Sequence, residues 1–179
     1  MRVTRRQLRK IITESVLDQT NLPVSVTSDS TFYWIARDAR EVQPGFVVPV
    51  SGPIKHVLEI ENIYEEVRLE LNPTAPSRFN CVYICPSLNG FCRKPVGTRF
   101  GHLGGVYKVR VTGNVFFADA EMWTEGSFSY GRGDIEGARD YAVGYWEGLN
   151  PQEARYPDSE YSFHEALVDG TVTVIERVY

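Results

Sequence analysis

The sequence predicts an α+β domain in which mainly antiparallel strands are flanked by helices. Strand-like runs outnumber helical ones, and several of them are neighbours in sequence, which suits direct antiparallel pairing better than the crossovers of a doubly wound parallel sheet. The 3.6-residue hydrophobic period appears in three separate segments, too few to alternate with every strand. A chain of 179 residues, 42% hydrophobic and 23% charged, is ordinary for one soluble globular domain. No run approaches the roughly 18 to 20 apolar residues of a membrane span, so no membrane partner is expected.

The first helical pattern is "TRRQLRKIITESVLDQ", with Leu8, Ile11, Ile12 and Val16 on one face, arginines on the other and Thr4 as N-cap. Residues 1–20 read as a basic amphipathic helix, and the polar, Pro-containing "TNLPVSVTSDS" separates it from a domain over 31–179. No apolar stretch of the signal-peptide kind follows the basic start. With three clustered cysteines, Cys81, Cys85 and Cys92, an odd number that suits free thiols, the expectation is a cytoplasmic protein. The net charge of -4 offers no general attraction for nucleic acid.

Within the domain, "TFYWIAR" reads as a strand, "VQPG" as a turn and "FVVPV" as a second strand. "IENIYEEVRLEL" places Ile60, Ile63, Tyr64, Val67 and Leu71 at helical spacing, and the prolines of "NPTAP" end that helix. "NCVYIC" is a strand. "GVYKVRVTG" and "NVFFAD" read as partner strands joined at Thr112-Gly113-Asn114. "WTEGSFSYGRGD" reads as a mobile loop. "DIEGARDYAVGYWEGL" is a helix capped by Asp134, with a stripe from Ile135 through Ala138, Tyr141, Ala142, Tyr145 and Trp146 to Leu149. "EALV" and "TVTVIERV" read as a last hairpin turning at Asp169-Gly170.

Chemistry-bearing residues are sparse. Cys81, Cys85, Cys92 and His102 lack the short knuckle spacing of a structural zinc site and read as buried thiols, so no metal is expected. The acids between Asp119 and Glu165 read as solvated faces rather than metal ligands. There is no nucleophile elbow, P-loop or dinucleotide fingerprint. In "APSRFN", Ser77 and Arg78 suit an anion through a hydroxyl and a guanidinium fork; alternatively the arginine pairs with the acidic helix before it or bonds backbone carbonyls. The aromatics of "FYWIARD" suit core packing as well as a planar ligand. Glu165 stands beside His164 at the head of the last apolar run, either as a solvated strand end or as a group placed for chemistry.

In order, "YWIARDAREVQPGFVVP", "EEVRLELNPTAPSRFNCVYI", "YKVRVTG", "AVGYWEG" and "EALVDGTVTV" resemble the ADP-ribosyltransferase superfamily, in particular its small bacterial and phage-type members, over roughly residues 31 to 178. The resemblance implies a split of mainly antiparallel sheets forming a cleft for NAD, used as substrate, with no metal. It makes Glu165 the catalytic carboxylate, which stabilises the oxocarbenium ion that forms when nicotinamide leaves ribose. It assigns NAD contact to Trp34, Arg37, Ser77, Arg78 and Tyr83, with Tyr83 stacking on nicotinamide and Arg37 or Arg78 as the cation. Trp34 stands where many relatives have a His or an Arg. The activity implied is mono-ADP-ribosyl transfer to a protein or nucleic-acid acceptor, or NAD hydrolysis, in the cytoplasm, that of the host cell if the protein is phage-encoded. The alternative is a non-catalytic phage-type accessory or interaction protein that keeps the fold.

Overall fold

Two long strands, β4 (Gly105–Asp119) and β5 (His164–Arg177), run antiparallel along nearly their whole length and carry the rest of the molecule. The computed structural model describes residues 24–25, 31–36, 42–51, 58–88, 105–149, 154 and 164–178. Among them are also β1 (Val24–Ser25), β2 (Phe32–Ala36), α1 (Leu58–Leu71), β3 (Val82–Ile84), α2 (Ala120–Gly131) and α3 (Ile135–Glu147). The class is α+β, and every ladder is antiparallel. The basic segment 1–20 lies outside the described residues, and no helix among those residues is long and apolar enough to cross a membrane.

The hairpins expected at Thr112-Gly113-Asn114 and at Asp169-Gly170 are absent; both stretches lie inside the long strands. Gly113 pairs with Gly170, flanked by Thr112 with Thr171 and Asn114 with Asp169, so the two turn signals meet at one level of the ladder. Gly113 has φ 128° and Gly170 φ 155°, and a Cβ on either would fall inside 3.0 Å of the opposite backbone. Paired glycines thus let two strand backbones approach and bend without breaking the ladder, a role that turn chemistry shares in sequence.

β5 has β4 on one edge and β3 on the other, and β1 and β2 pair with the other edge of β4. Reciprocal Tyr33–Cys85 backbone bonds of 3.0 and 2.7 Å join β2 back to β3, so the sheet curls until its edges meet. The described strands form one five-stranded sheet. "FVVPV" and the residue after it make isolated bridges, Val47 with Thr173 and Ser51 with Cys81, instead of a regular strand; Pro49 has no N–H to extend a ladder.

Alternation along the strands sorts side chains into two cores. The enclosed face holds Phe32, Ala36, Val82, Ile84, Val109, Val115, Phe117, Val168 and Val172, with Trp34 against them. The outer face, with Cys81, Phe116, Ala118 and Leu167, is covered by Tyr64 and Val67 of α1 and by Ala138, Ala142, Tyr145 and Trp146 of α3. α1 turns Glu61 and Arg68 inward with Ile60, Tyr64 and Val67, while Leu71 and, on α3, Ile135 stay exposed.

The stretch expected to be a mobile loop is mostly the helix α2. Asp119 caps it, accepting from the Glu121 amide at 2.9 Å, and Gly126 packs against the Tyr64 hydroxyl where a Cβ would collide. Its glycine and serines lower helix propensity, but the cap and this close packing outweigh that bias.

Candidate functional site

Glu165 is the second residue of β5, opposite Ala118 on β4, and its face of the sheet is the one under the helices. Arg78 reaches this point from the loop between α1 and β3. That loop is shaped by the "EEVR…PSR" residues themselves. Arg68 pairs with Glu65 through Nε and Nη2 at 3.0 and 2.8 Å, and its Nη1 donates to the carbonyls of Pro73 and Ala75. Ser77 Oγ donates to Glu65 Oε2 at 2.9 Å and accepts from the Phe79 amide. Arg68 first, and Ser77 after it, hold the Glu65 carboxyl below the ordinary glutamate range.

The loop so braced sends the Arg78 guanidinium into the outer core. Its Nε and Nη2 meet Glu61 Oε2 and Oε1 at 2.7 and 3.1 Å, and its Nη1 donates to Tyr145 Oη at 2.5 Å and Glu165 Oε1 at 2.6 Å. Tyr145 Oη donates to the same Glu165 oxygen at 2.6 Å, and Trp123 Nε1 donates to Glu61 Oε1 at 3.0 Å. Four rings surround the cation, with Cζ at 5.0 Å from Tyr145, 5.1 Å from Tyr83, 5.3 Å from Trp123 and 5.9 Å from Tyr64. Burial opposes the Arg78 charge, but the acceptors and rings around it outweigh that, and it remains a cation. Burial also holds the protons on Tyr145, Tyr83 and Tyr64, and pushes the Cys81 thiol up to about 12.

The Glu165 side chain is 19% exposed, against 3% for Glu61 and 7% for Arg78. Its Oε1 accepts from both Arg78 and Tyr145, whereas Oε2 has no partner among the described residues and is not a sealed, unsatisfied atom. The site therefore presents one carboxylate oxygen outward from a buried hub in which a single guanidinium holds two carboxylates.

Of the residues expected to act together, Glu165, Arg78 and Tyr83 converge; the Tyr83 hydroxyl donates to the Arg78 carbonyl at 2.9 Å while its ring packs on the guanidinium. Ser77 is next in the chain, with its hydroxyl bound to Glu65. Trp34 is not brought to them. It stacks with Phe46 and packs on Tyr107 in the enclosed core, and alternation on β2 gives the Glu165 face to Tyr33 and Ile35 instead. Arg37 lies outside the described residues, as do Cys92 and His102. His164 points to the opposite face from Glu165, its Nδ1 lying 3.3 Å from the Ala154 carbonyl. Cys81 and Cys85 are buried free thiols, and no group of three or more metal-ligating side chains occurs among the described residues.

Sequence reasoning missed Glu61, Trp123 and the polar role of Tyr145. Glu61 carries a readable signal, since it precedes Tyr64 by three residues and so shares the inward face of α1. Tyr145 read as a core aromatic, which it is; its hydroxyl contact depends on where β5 lies.

No curated protein matches the chain in sequence. A family model described as "protein of unknown function (DUF2441)" matches residues 27–179, which takes in β2 to β5, α1 to α3 and every residue of the hub. The chain belongs to the DUF2441 family.

Proposed function

We propose that this protein breaks the bond between nicotinamide and ribose in NAD and passes ADP-ribose to a protein or nucleic-acid acceptor, or to water. The carrying observation is Glu165, clamped at Oε1 by Arg78 and Tyr145 while Oε2 stays unengaged and partly exposed. An anion fixed in advance stabilises a developing sugar cation without reorganising at the moment of reaction. In the step itself the C–N bonding pair leaves with nicotinamide, which departs neutral. The ribosyl cation is captured by the acceptor, whose proton goes to Glu165 or to solvent. Order and spacing of the five sequence motifs, and the place of Glu165 at the start of a late strand, support an ADP-ribosyltransferase-like reading of the fold. The buried free thiols Cys81 and Cys85 support a reducing, cytoplasmic setting.

Purified protein incubated with NAD and a cell lysate is expected to release nicotinamide, and Glu165→Gln to slow the release sharply without ending it. No release by the wild type, or equal release by the variant, would falsify this reading. One observation favours a second reading, a non-catalytic interaction protein. Arg78, one of the two arginines expected to supply the cation for NAD, is committed to Glu61, Tyr145 and Glu165. Calorimetry separates the two, since the accessory protein gives no heat with NAD.

A further inference from the structure

We infer that Tyr145 is a positioning residue for Glu165, fixing the carboxylate so that Oε2 alone meets the substrate. This rests on the glycosidic reading above, and it adds a residue that the resemblance does not assign to catalysis.

The geometry is a closed triangle. Arg78 Nη1 donates to Tyr145 Oη at 2.5 Å and to Glu165 Oε1 at 2.6 Å, and Tyr145 Oη donates to Oε1 at 2.6 Å. A phenol that accepts from a cation has its own proton polarised toward the third partner, so the two donors reinforce each other at Oε1. Tyr145 is fully buried and has little freedom to turn away. Its ring meets Tyr64 edge-on at 5.4 Å, and its neighbour Trp146 anchors α3 by donating to the Tyr64 carbonyl at 2.6 Å.

The charged and titratable groups around Glu165 come from four elements of the fold. They are Glu61 and Tyr64 on α1, Arg78 on the following loop, Cys81 and Tyr83 at β3, and Tyr145 on α3. Of these, Arg78 and Tyr145 alone hydrogen-bond to Glu165. Burial holds the Tyr145 proton in place, so Tyr145 is present as a donor to Oε1. A carboxylate held by one oxygen cannot rotate to offer the other. The partial positive charge of a ribosyl cation would therefore always meet Oε2 from the same direction, which is a contribution to kcat rather than to NAD affinity.

The experiment is Tyr145→Phe, alone and combined with Glu165→Gln, together with infrared difference spectra that isolate the Glu165 carboxylate by subtracting Glu165→Gln. Tyr145→Phe is expected to lower kcat roughly ten- to hundredfold, the weight of one hydrogen bond to a charged group, with KM for NAD changed less than about twofold. It should add nothing in the Glu165→Gln background and should shift the carboxylate stretch. Unchanged kcat, a comparable rise in KM, or an equal further loss in the double variant overturns the proposal. Wild type that releases no nicotinamide sinks the glycosidic reading instead, and the infrared comparison still decides whether Tyr145 holds the carboxylate. An unmoved band means that it does not. Should Tyr145→Phe fold poorly, 3-fluorotyrosine at position 145 keeps the shape and strengthens the donor, and it must shift the same band; no shift overturns the proposal.

Discussion

Arg78 lies fork to fork on Glu61, with Nε to Oε2 at 2.7 Å and Nη2 to Oε1 at 3.1 Å, both side chains nearly sealed from water. Removing Glu61 leaves the buried Nε and Nη2 donors of Arg78 without acceptors, and Glu165, which still offsets the charge through Nη1, cannot replace a two-point contact. Glu61→Ala is expected to cost about 3–5 kcal/mol. Glu61→Gln, which keeps an acceptor, should cost less. Urea denaturation measures both, and a loss below about 1 kcal/mol for Glu61→Ala would mean that the pair behaves like an exposed one.

Trp34 stacks with Phe46, ring centroids 6.3 Å apart, and lies 5.9 Å from Tyr107, on the face of the sheet turned away from Glu165. Trp34→His, which places there the residue expected from the resemblance, should therefore raise no activity. It should destabilise the domain by about 2 kcal/mol through lost aromatic packing. Nicotinamide release and thermal melting of the variant check the two halves. A gain in turnover would show that this face takes part in the chemistry.

Gly170 and Gly45 both have positive φ, 155° and 90°, but their surroundings differ. A Cβ on Gly170 would strike the Thr112 carbonyl and Gly113 Cα, whereas nothing lies within 4 Å of one on Gly45. Gly45→Ala should cost only backbone strain, about 1–2 kcal/mol. Gly170→Ala adds a collision in the middle of the longest ladder and should cost roughly 2–4 kcal/mol. Equal losses in chemical denaturation would show that the strands separate freely at this level.

Glu65 carries the acid sensitivity of the loop that delivers Arg78. Its carboxyl is held below the ordinary glutamate value of 4.5 by Arg68 and Ser77. A depressed folded-state value means that the unfolded chain binds the proton more readily. The stabilisation is complete above pH 4.5 and declines as pH falls toward the lower folded value. Glu65→Gln should be less stable than wild type at neutral pH, and the gap should close on acidification below 4.5. Stability curves at several pH values test this; a gap that stays constant would assign the effect to shape rather than to charge.

The α+β class, α1 and α3 with its Asp134 cap could be reached from sequence because each rests on a local signal, such as a 3.6-residue period or a cap three residues before the Gly137 amide it binds. The convergence of Arg78, Tyr83 and Glu165 was expected only from the resemblance. Of the fates open to Arg78, pairing with the acidic helix before it is one that is found. The glycine-centred signals at 112–114 and 169–170 could not be resolved locally. A Gly that turns a chain and a Gly that lets two strands touch look alike until its partner is known, and here each is the other's partner. Likewise Gly126 reads as flexible until the Tyr64 hydroxyl is placed against it. The sequence alone determined which side chains bear charge and which segments carry a helical period. Tertiary structure decided which face of the curled sheet each strand residue joined, and so put Trp34 and Glu165 on opposite sides, because in a strand the choice of face turns on a register that long-range pairing sets.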